Sequence, residues 1–204
     1  PRLQRIRHAA NEGKARALIA GMQRALADGA DVIVTMDADG QHRPADLPRL
    51  LHAAREHRSD IIVGARLADR ASIPAARYRA NRFANFWIAW ASGHPVVDSQ
   101  SGFRVYPAGV VRAVLPALAR RYPPGPGARR KGFVFESEFL IAAGQRGHVT
   151  TAVRIPALYG DAQRASHFRP VADITQIVLM VAGHLLRRGM YPQGLWRSLR
   201  GHTA

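Results

Sequence analysis

Val32-Ile33-Val34-Thr35-Met36-Asp37-Ala38-Asp39-Gly40-Gln41-His42 is the stretch that most constrains the fold, an apolar run that breaks off into carboxylates, a glycine and an amide. A run without polar alternation reads as a strand of a parallel sheet, buried on both faces. Asp37 and Asp39 are separated by Ala38 alone, so where the strand loosens both carboxylates can turn toward one hard divalent cation. Gln41 adds a neutral oxygen, and Gly40 permits a sharp turn. Ligands of open α/β sheets bind in the crevice beyond the carboxyl ends of the strands, where these residues fall.

The remaining pattern alternates helix and strand. Asn11 is placed to cap a helix whose apolar face runs Ala15, Leu18, Ile19, Met22 and Leu26, and Asp28-Gly29 ends it. Pro44 opens a second helix with Leu47, Leu50, Leu51 and Ala54 at helical spacing. Asp60-Ile61-Ile62-Val63-Gly64 is a second buried strand, followed by Ala65-Arg66. The segment 74–91 is helical and aromatic, with Tyr78, Phe83, Phe86, Trp87 and Trp90 read as core rather than as a lipid-facing surface. A polar turn, Asp98-Ser99-Gln100-Ser101-Gly102-Phe103-Arg104, leads through Val105-Tyr106-Pro107 into a helix over 108–119. The Pro/Gly-rich stretch 123–132 reads as a mobile basic loop, not a linker, because regular pattern resumes at Phe133 with a helix, a strand over 149–158 and a C-terminal helix over 171–190. The expectation is one α/β domain over residues 1–204.

Charge narrows the partners. The chain carries 30 Lys+Arg against 14 Asp+Glu, a net +16, and Lys14 and Lys131 are its only lysines. Such a field favours polyanions: nucleic acid, anionic headgroups or a diphosphate. The absence of cysteine excludes disulfides and thiolate metal sites and fits a reducing compartment. The first residues lack a secretory signal's apolar segment, and no window approaches the ~20 apolar residues of a spanning helix. Any membrane contact is therefore expected to be peripheral.

Taken together and in order, Asn11-x-Gly13-Lys14, Met36 to His42, Asp60 to Arg66, Asp98 to Arg104, Phe135-Glu136-Ser137-Glu138, and Tyr159-Gly160 with Ser166-His167 resemble a family 2 glycosyltransferase of the GT-A fold. The resemblance is strongest to the polyprenyl-phosphate branch, the dolichyl-phosphate mannose or glucose synthase-like enzymes. It implies a three-layer α/β/α sandwich with a mostly parallel sheet. Relatives begin with a strand, helix and second strand that help hold the nucleotide. This chain is read as starting after that unit, which leaves an inactive transferase remnant as one alternative.

The resemblance further implies that Asp37, Asp39 and Gln41 bind Mg2+ or Mn2+ against the diphosphate of a nucleotide sugar, with Asn11, Gly13 and Lys14 also on the donor. Hard oxygen ligands suit those ions and not zinc. Arg66 and Arg104 are candidates for phosphate recognition, because a guanidinium grips phosphate oxygens bidentately. Ser101, Ser166 and His167 are the further acceptor-phosphate candidates, the last two with a loop and helix-cap role as the alternative. Asp98 is the first choice for a base or for orienting the acceptor, ahead of Glu136 and Glu138. Those two stand i and i+2 on a helix, so at most one faces the site. Asp39 also has a simpler reading, as a cap before Pro44.

The expected reaction is inverting, metal-dependent transfer of a sugar to a polyprenyl phosphate at the inner face of the cytoplasmic membrane. A basic nucleic-acid-binding module is the rival from another class. It is disfavoured because no nucleic-acid motif is present and the aromatics lie at core-like spacing, so no nucleic acid is expected as partner. A nucleotidyltransferase would need a glycine-rich phosphate loop beside the early strand, and none is visible.

Overall fold

The computed structural model describes residues 3–38, 40–66, 73, 75–125, 134–156 and 170–200. Asp39, Tyr159, Gly160, Ser166, His167 and the basic residues 129–131 lie outside them.

Among the described residues four strands form one sheet in the order β1-β3-β2-β4, with β1 Val32–Thr35, β2 Ile61–Ala65, β3 Arg104–Pro107 and β4 Thr150–Arg154. β2 and β4 are parallel, whereas β3 runs antiparallel to both β1 and β2. Three strands thus share one direction and β3 opposes them. Sequence reading passed over β3, because Val105-Tyr106-Pro107 is short and ends in a proline that opens the next helix. Its reversal brings the start of β3 beside the end of β1, since Thr35 pairs with Arg104.

Side chains of successive strand residues point to opposite faces. On one face Ile33, Ile61, Val63 and Tyr106 meet α1 (Lys14–Ala27), α4 (Ala108–Arg121) and α5 (Phe135–Gly144), with Ala15, Ile19, Met22, Val111, Val114 and Phe139 buried among them. On the other face Ile62, Phe103, Val105 and Ile155 pack on Leu50 of α2 (Leu47–Glu56). A short 3-10 turn, Pro44–Asp46, precedes α2. β2 is buried throughout, as its apolar run predicts.

β1 departs from its expected burial. Ile33 is buried, but Val32 and Val34 are 43% and 38% exposed. The reason is position: among the described residues β1 pairs with β3 alone, and α2 lies over β2, β3 and β4. Asn11 also differs from its expected role, since Gly13 is the N-cap of α1 and the Asn11 side chain accepts the Gly13 N–H at 3.1 Å.

α3 (Ala75–Ser92) packs on α5, on α6 (Pro170–Arg187) and on α7 (Pro192–Arg200). Its inner residues Ile88, Ala89 and Ala91 are buried. Its aromatics divide: Trp87 and Trp90 are partly buried, pack against the core and stack with ring centroids 5.2 Å apart, whereas Phe83 is 56% exposed. The helical spacing was right, but it placed them on the face turned to α6 and solvent. α7 was not anticipated, because Gly189 and Pro192 break the pattern before it. The Trp90 indole nitrogen donates to the carbonyls of Met190 and Tyr191 at 3.0 and 3.1 Å, which fastens that break to α3.

Candidate active site

The ends of β1 and β2 and the beginning of β3 lie side by side, so the segments after Thr35, after Ala65 and before Arg104 converge at one edge of the sheet. Lys14, the first residue of α1, completes the cluster. Its ammonium reaches Asp37 Oδ1 at 2.7 Å and Glu136 Oε2 at 2.5 Å. Burial alone would lower the Lys14 pKa, but Glu136 and Asp37 outweigh it and hold it above the ordinary lysine value.

Gly102 makes room for this arrangement. A Cβ there would overlap the Asp37 carboxylate, so only glycine lets the turn approach so closely. Thr35 Oγ1 donates to the Gly102 carbonyl at 3.0 Å and fixes the turn against the end of β1. Gly40, with φ 80°, turns the chain back beyond the acidic stretch, a conformation that favours glycine.

Asp98 and Arg66 form the second cluster. Asp98 is fully buried. Its Oδ2 accepts from the Arg66 backbone N–H at 2.9 Å and from Nε at 3.1 Å, and its Oδ1 accepts from Nη2 at 3.3 Å. Arg66 Nη1 donates to Gln41 Oε1 at 2.9 Å. Both oxygens of Asp98 thus face Arg66 away from solvent, and Arg66 links Asp98 to the amide of Gln41.

Arg104 is fully buried, and its Nε donates to the Ser101 carbonyl, Nη1 to the Glu136 carbonyl and Nη2 to the Ser99 carbonyl at 2.8, 2.9 and 2.8 Å. These bonds tie the turn 98–103 to the start of α5. Burial opposes its charge, but Tyr106 and Glu136 keep its pKa above the ordinary arginine value. Ser101 is likewise buried, and its hydroxyl accepts the Phe103 N–H at 3.3 Å within the turn.

The two glutamates part company. Glu136 faces Lys14, whereas Glu138 accepts the Tyr122 hydroxyl at 2.6 Å and pairs with Arg121 and His184. Burial would raise the Glu138 carboxyl, but the hydrogen bonds from His184 and Tyr122 and the charge of Arg121 hold it below the ordinary range. Burial and the adjacent Glu138 charge push the Tyr122 phenol up. Glu138 thus binds α5 to α4 and α6 at a distance from Lys14.

Asn85 of α3 was missed. Buried, it accepts the Ser99 N–H and hydroxyl at 2.9 and 2.7 Å and donates to the Val97 carbonyl, pinning the turn to α3. The only signal for it in the sequence is an amide within an aromatic helix, which Asn81 shares.

Among the described residues no group of three or more His, Cys, Asp or Glu forms a ready metal cluster. Hard oxygens are nevertheless present. Asp37 and Glu136 share one cation, and Glu136 Oε1 is buried without a hydrogen-bond partner. That orphaned oxygen fits a group that prefers carboxylate ligands, as Mg2+ and Mn2+ do.

A polar crevice at the carboxyl ends of the strands is where α/β sheets bind their ligands, and this chain is of that α/β class. Residues 1–112 match the model of glycosyl transferase family 2, and the chain belongs to that family. Its α/β architecture is the GT-A fold of the family. The chain is 32% identical over 121 residues to a UDP-N-acetylglucosamine–dolichyl-phosphate N-acetylglucosaminyltransferase of Methanococcus voltae, covering 57% of this chain and 48% of that protein. It is 33% identical over 122 residues to an undecaprenyl-phosphate mannosyltransferase of Micrococcus luteus, covering 56% and 47%. With an uncharacterized protein of Methanocaldococcus jannaschii it shares 29% identity over 156 residues, covering 75% and 60%. The chain thus spans about half to three fifths of the length of these curated relatives.

Proposed function

We propose that this chain carries the transfer site of a glycosyltransferase that moves a sugar from a nucleotide sugar onto a polyprenyl phosphate. The observation that carries the acceptor side is a juxtaposition on α3. Asn85 holds the turn 98–103, and its neighbour Ala84 lines an apolar groove of about 400 Å³ between α3 and α6. Phe83, Trp87, Val178, Val181 and Leu186 form its walls. An apolar groove on the helix that also holds this polar turn suits a ligand with an anionic head and a hydrocarbon tail. The relatives named for dolichyl-phosphate and undecaprenyl-phosphate substrates support the same class.

The donor side rests on Asp37, with Lys14 and Glu136 beside it and Asp39 and Gln41 as further ligands. A divalent ion bound there would supply Lewis-acid dispersal of the charge that gathers on a departing nucleoside diphosphate. A polyprenyl phosphate oxygen is already an anion at neutral pH. Its attack on C1 forms the new C1–O bond as the bond to the diphosphate breaks, with inversion, and needs positioning more than proton removal. Arg66, aimed by Asp98, is the residue proposed to orient the phosphate.

Peripheral membrane contact is part of the proposal. Leu179, Leu186, Trp196 and Leu199 are exposed on α6 and α7, near Arg187, Arg188 and Arg197. Among the described residues no helix is long and apolar enough to cross a membrane. Apolar side chains with a basic fringe suit an anionic surface. Flotation with anionic and with neutral liposomes tests this, and equal recovery from both would remove the electrostatic part.

The central test incubates the protein with a panel of nucleotide sugars and polyprenyl phosphate, with Mn2+ or with chelator. Chelator-sensitive transfer, lost in Asp37→Asn, is expected. Transfer indifferent to both changes overturns the proposal.

A further inference from the structure

We propose that Lys14 is a displaceable counter-cation, its ammonium standing between Asp37 and Glu136 where a divalent ion binds, and that it moves onto the donor diphosphate when that ion arrives. The inference rests on the donor side of the reading above and adds Glu136 to the ion's ligands.

Three observations lead to it. First, Lys14 is the cation that pairs with both carboxylates among the described residues, at 2.7 Å from Asp37 and 2.5 Å from Glu136. Second, Glu136 is only 9% exposed and its Oε1 has no hydrogen-bond partner. A single ammonium therefore leaves a buried carboxylate oxygen unsatisfied, a costly arrangement that a six-coordinate ion taking oxygen from both carboxylates relieves. Third, the Lys14 side chain is 38% exposed on a flexible stem rooted at the first turn of α1, so its head can swing without disturbing the helix.

The backdrop favours exchange over permanence. Arg104, the other cation near Glu136, is committed to the backbone carbonyls of Ser99, Ser101 and Glu136 and stays put. Lys14 is the mobile charge of the pair. Before donor binding it keeps Asp37 and Glu136 from repelling each other. Afterwards the ion takes over that role, and the released ammonium adds one positive charge to the diphosphate.

Calorimetric titration with MnCl2 alone, and with Mn2+ plus a nucleoside diphosphate, separates this from a static ion pair. Lys14→Gln is expected to bind Mn2+ alone about tenfold more tightly than the wild type, because a competing charge is gone. The same variant is expected to bind the Mn2+–nucleoside diphosphate about tenfold more weakly than the wild type. Adding Glu136→Gln is expected to abolish the gain for the ion alone. Lys14→Arg, which keeps a cation and serves if Lys14→Gln does not fold, is expected to bind Mn2+ no more tightly than the wild type.

Equal or weaker Mn2+ binding by Lys14→Gln, tighter binding by Lys14→Arg, or a gain that survives Glu136→Gln overturns the proposal. Any of these with sugar transfer intact removes the counter-cation alone. The expected binding pattern with no transfer by the wild type removes the functional reading and leaves the counter-cation standing.

Discussion

The carboxylate of Asp37 occupies the space that a side chain on Gly102 would need. These residues lie far apart in the chain, and β3 brings them together by entering the sheet antiparallel to β1. The hydrogen bond from Thr35 to the Gly102 carbonyl closes the junction from the other side. The site is thus a product of strand order: reversing β3 puts the turn 98–103 at the same edge as the ends of β1 and β2.

Gly102→Ala tests that junction. The nearest atoms belong to the tip of a side chain that is 27% exposed, so Asp37 can rotate aside and the fold survives. The cost in stability is expected to be about 1 kcal/mol. Affinity for Mn2+ is expected to fall about tenfold, because the displaced carboxylate no longer faces Lys14 and Glu136. Thermal melting and metal titration on the same sample check both halves, and unchanged Mn2+ affinity would remove Asp37 from the ion's ligands.

Asp98→Asn distinguishes architecture from proton transfer. The buried carboxylate meets Arg66 through both oxygens, so neutralising it leaves Arg66 without its counter-charge. A loss of about 3 kcal/mol in urea unfolding is expected, as for other broken buried pairs. Were Asp98 a base, the unfolding curve would stay in place while the pH profile of transfer moved.

How much of this was legible beforehand depended on whether the signal was local. Asp37 stands where an apolar run ends, and β2, α1 and α4 follow from apolar periodicity, so these were readable. Arginine beside serine and glycine reads as a phosphate grip, whereas the burial of Arg104 depends partly on the Glu136 carbonyl of α5, distant in sequence. Val32 and Val34 look like core residues in sequence. Their exposure follows from β1 lying at the sheet edge, and strand order is not a local property. Glu136 and Glu138 could be assigned to different sides of a helix, but which one meets Lys14 depends on how α5 is turned against α1.

Acid stability should depend on Glu138. Its folded pKa lies below the ordinary value of 4.5, so its contribution is fully present above that value and is lost as the pH falls through the folded pKa. Glu138→Gln is expected to cost about 1–3 kcal/mol at neutral pH, by weakening the bonds from Tyr122, Arg121 and His184. The difference between wild type and variant in urea unfolding should be constant above the unfolded pKa and shrink as the solution is acidified below it. A gap that stayed constant down to the acid-unfolding limit would show that Glu138 contributes through packing instead of charge.

Ala182 offers the sharpest test of the apolar groove, because it lines the wall contributed by α6 opposite Phe83 and Trp87. Ala182→Phe fills the space by adding a ring, without touching Lys14, Asp37 or Arg66. Each methylene of a lipid tail that loses its burial forfeits about 0.8 kcal/mol, so displacing even two raises KM for a long-chain polyprenyl phosphate about tenfold. A phosphate carrying only one or two isoprene units makes little use of the groove, and its kinetic constants should stay near those of the wild type. Equal effects on long and short acceptors would mean that the tail lies elsewhere. The contrast works because an acceptor's head and tail are recognised by different physics: Arg66 answers to charge, and the groove answers only to apolar area.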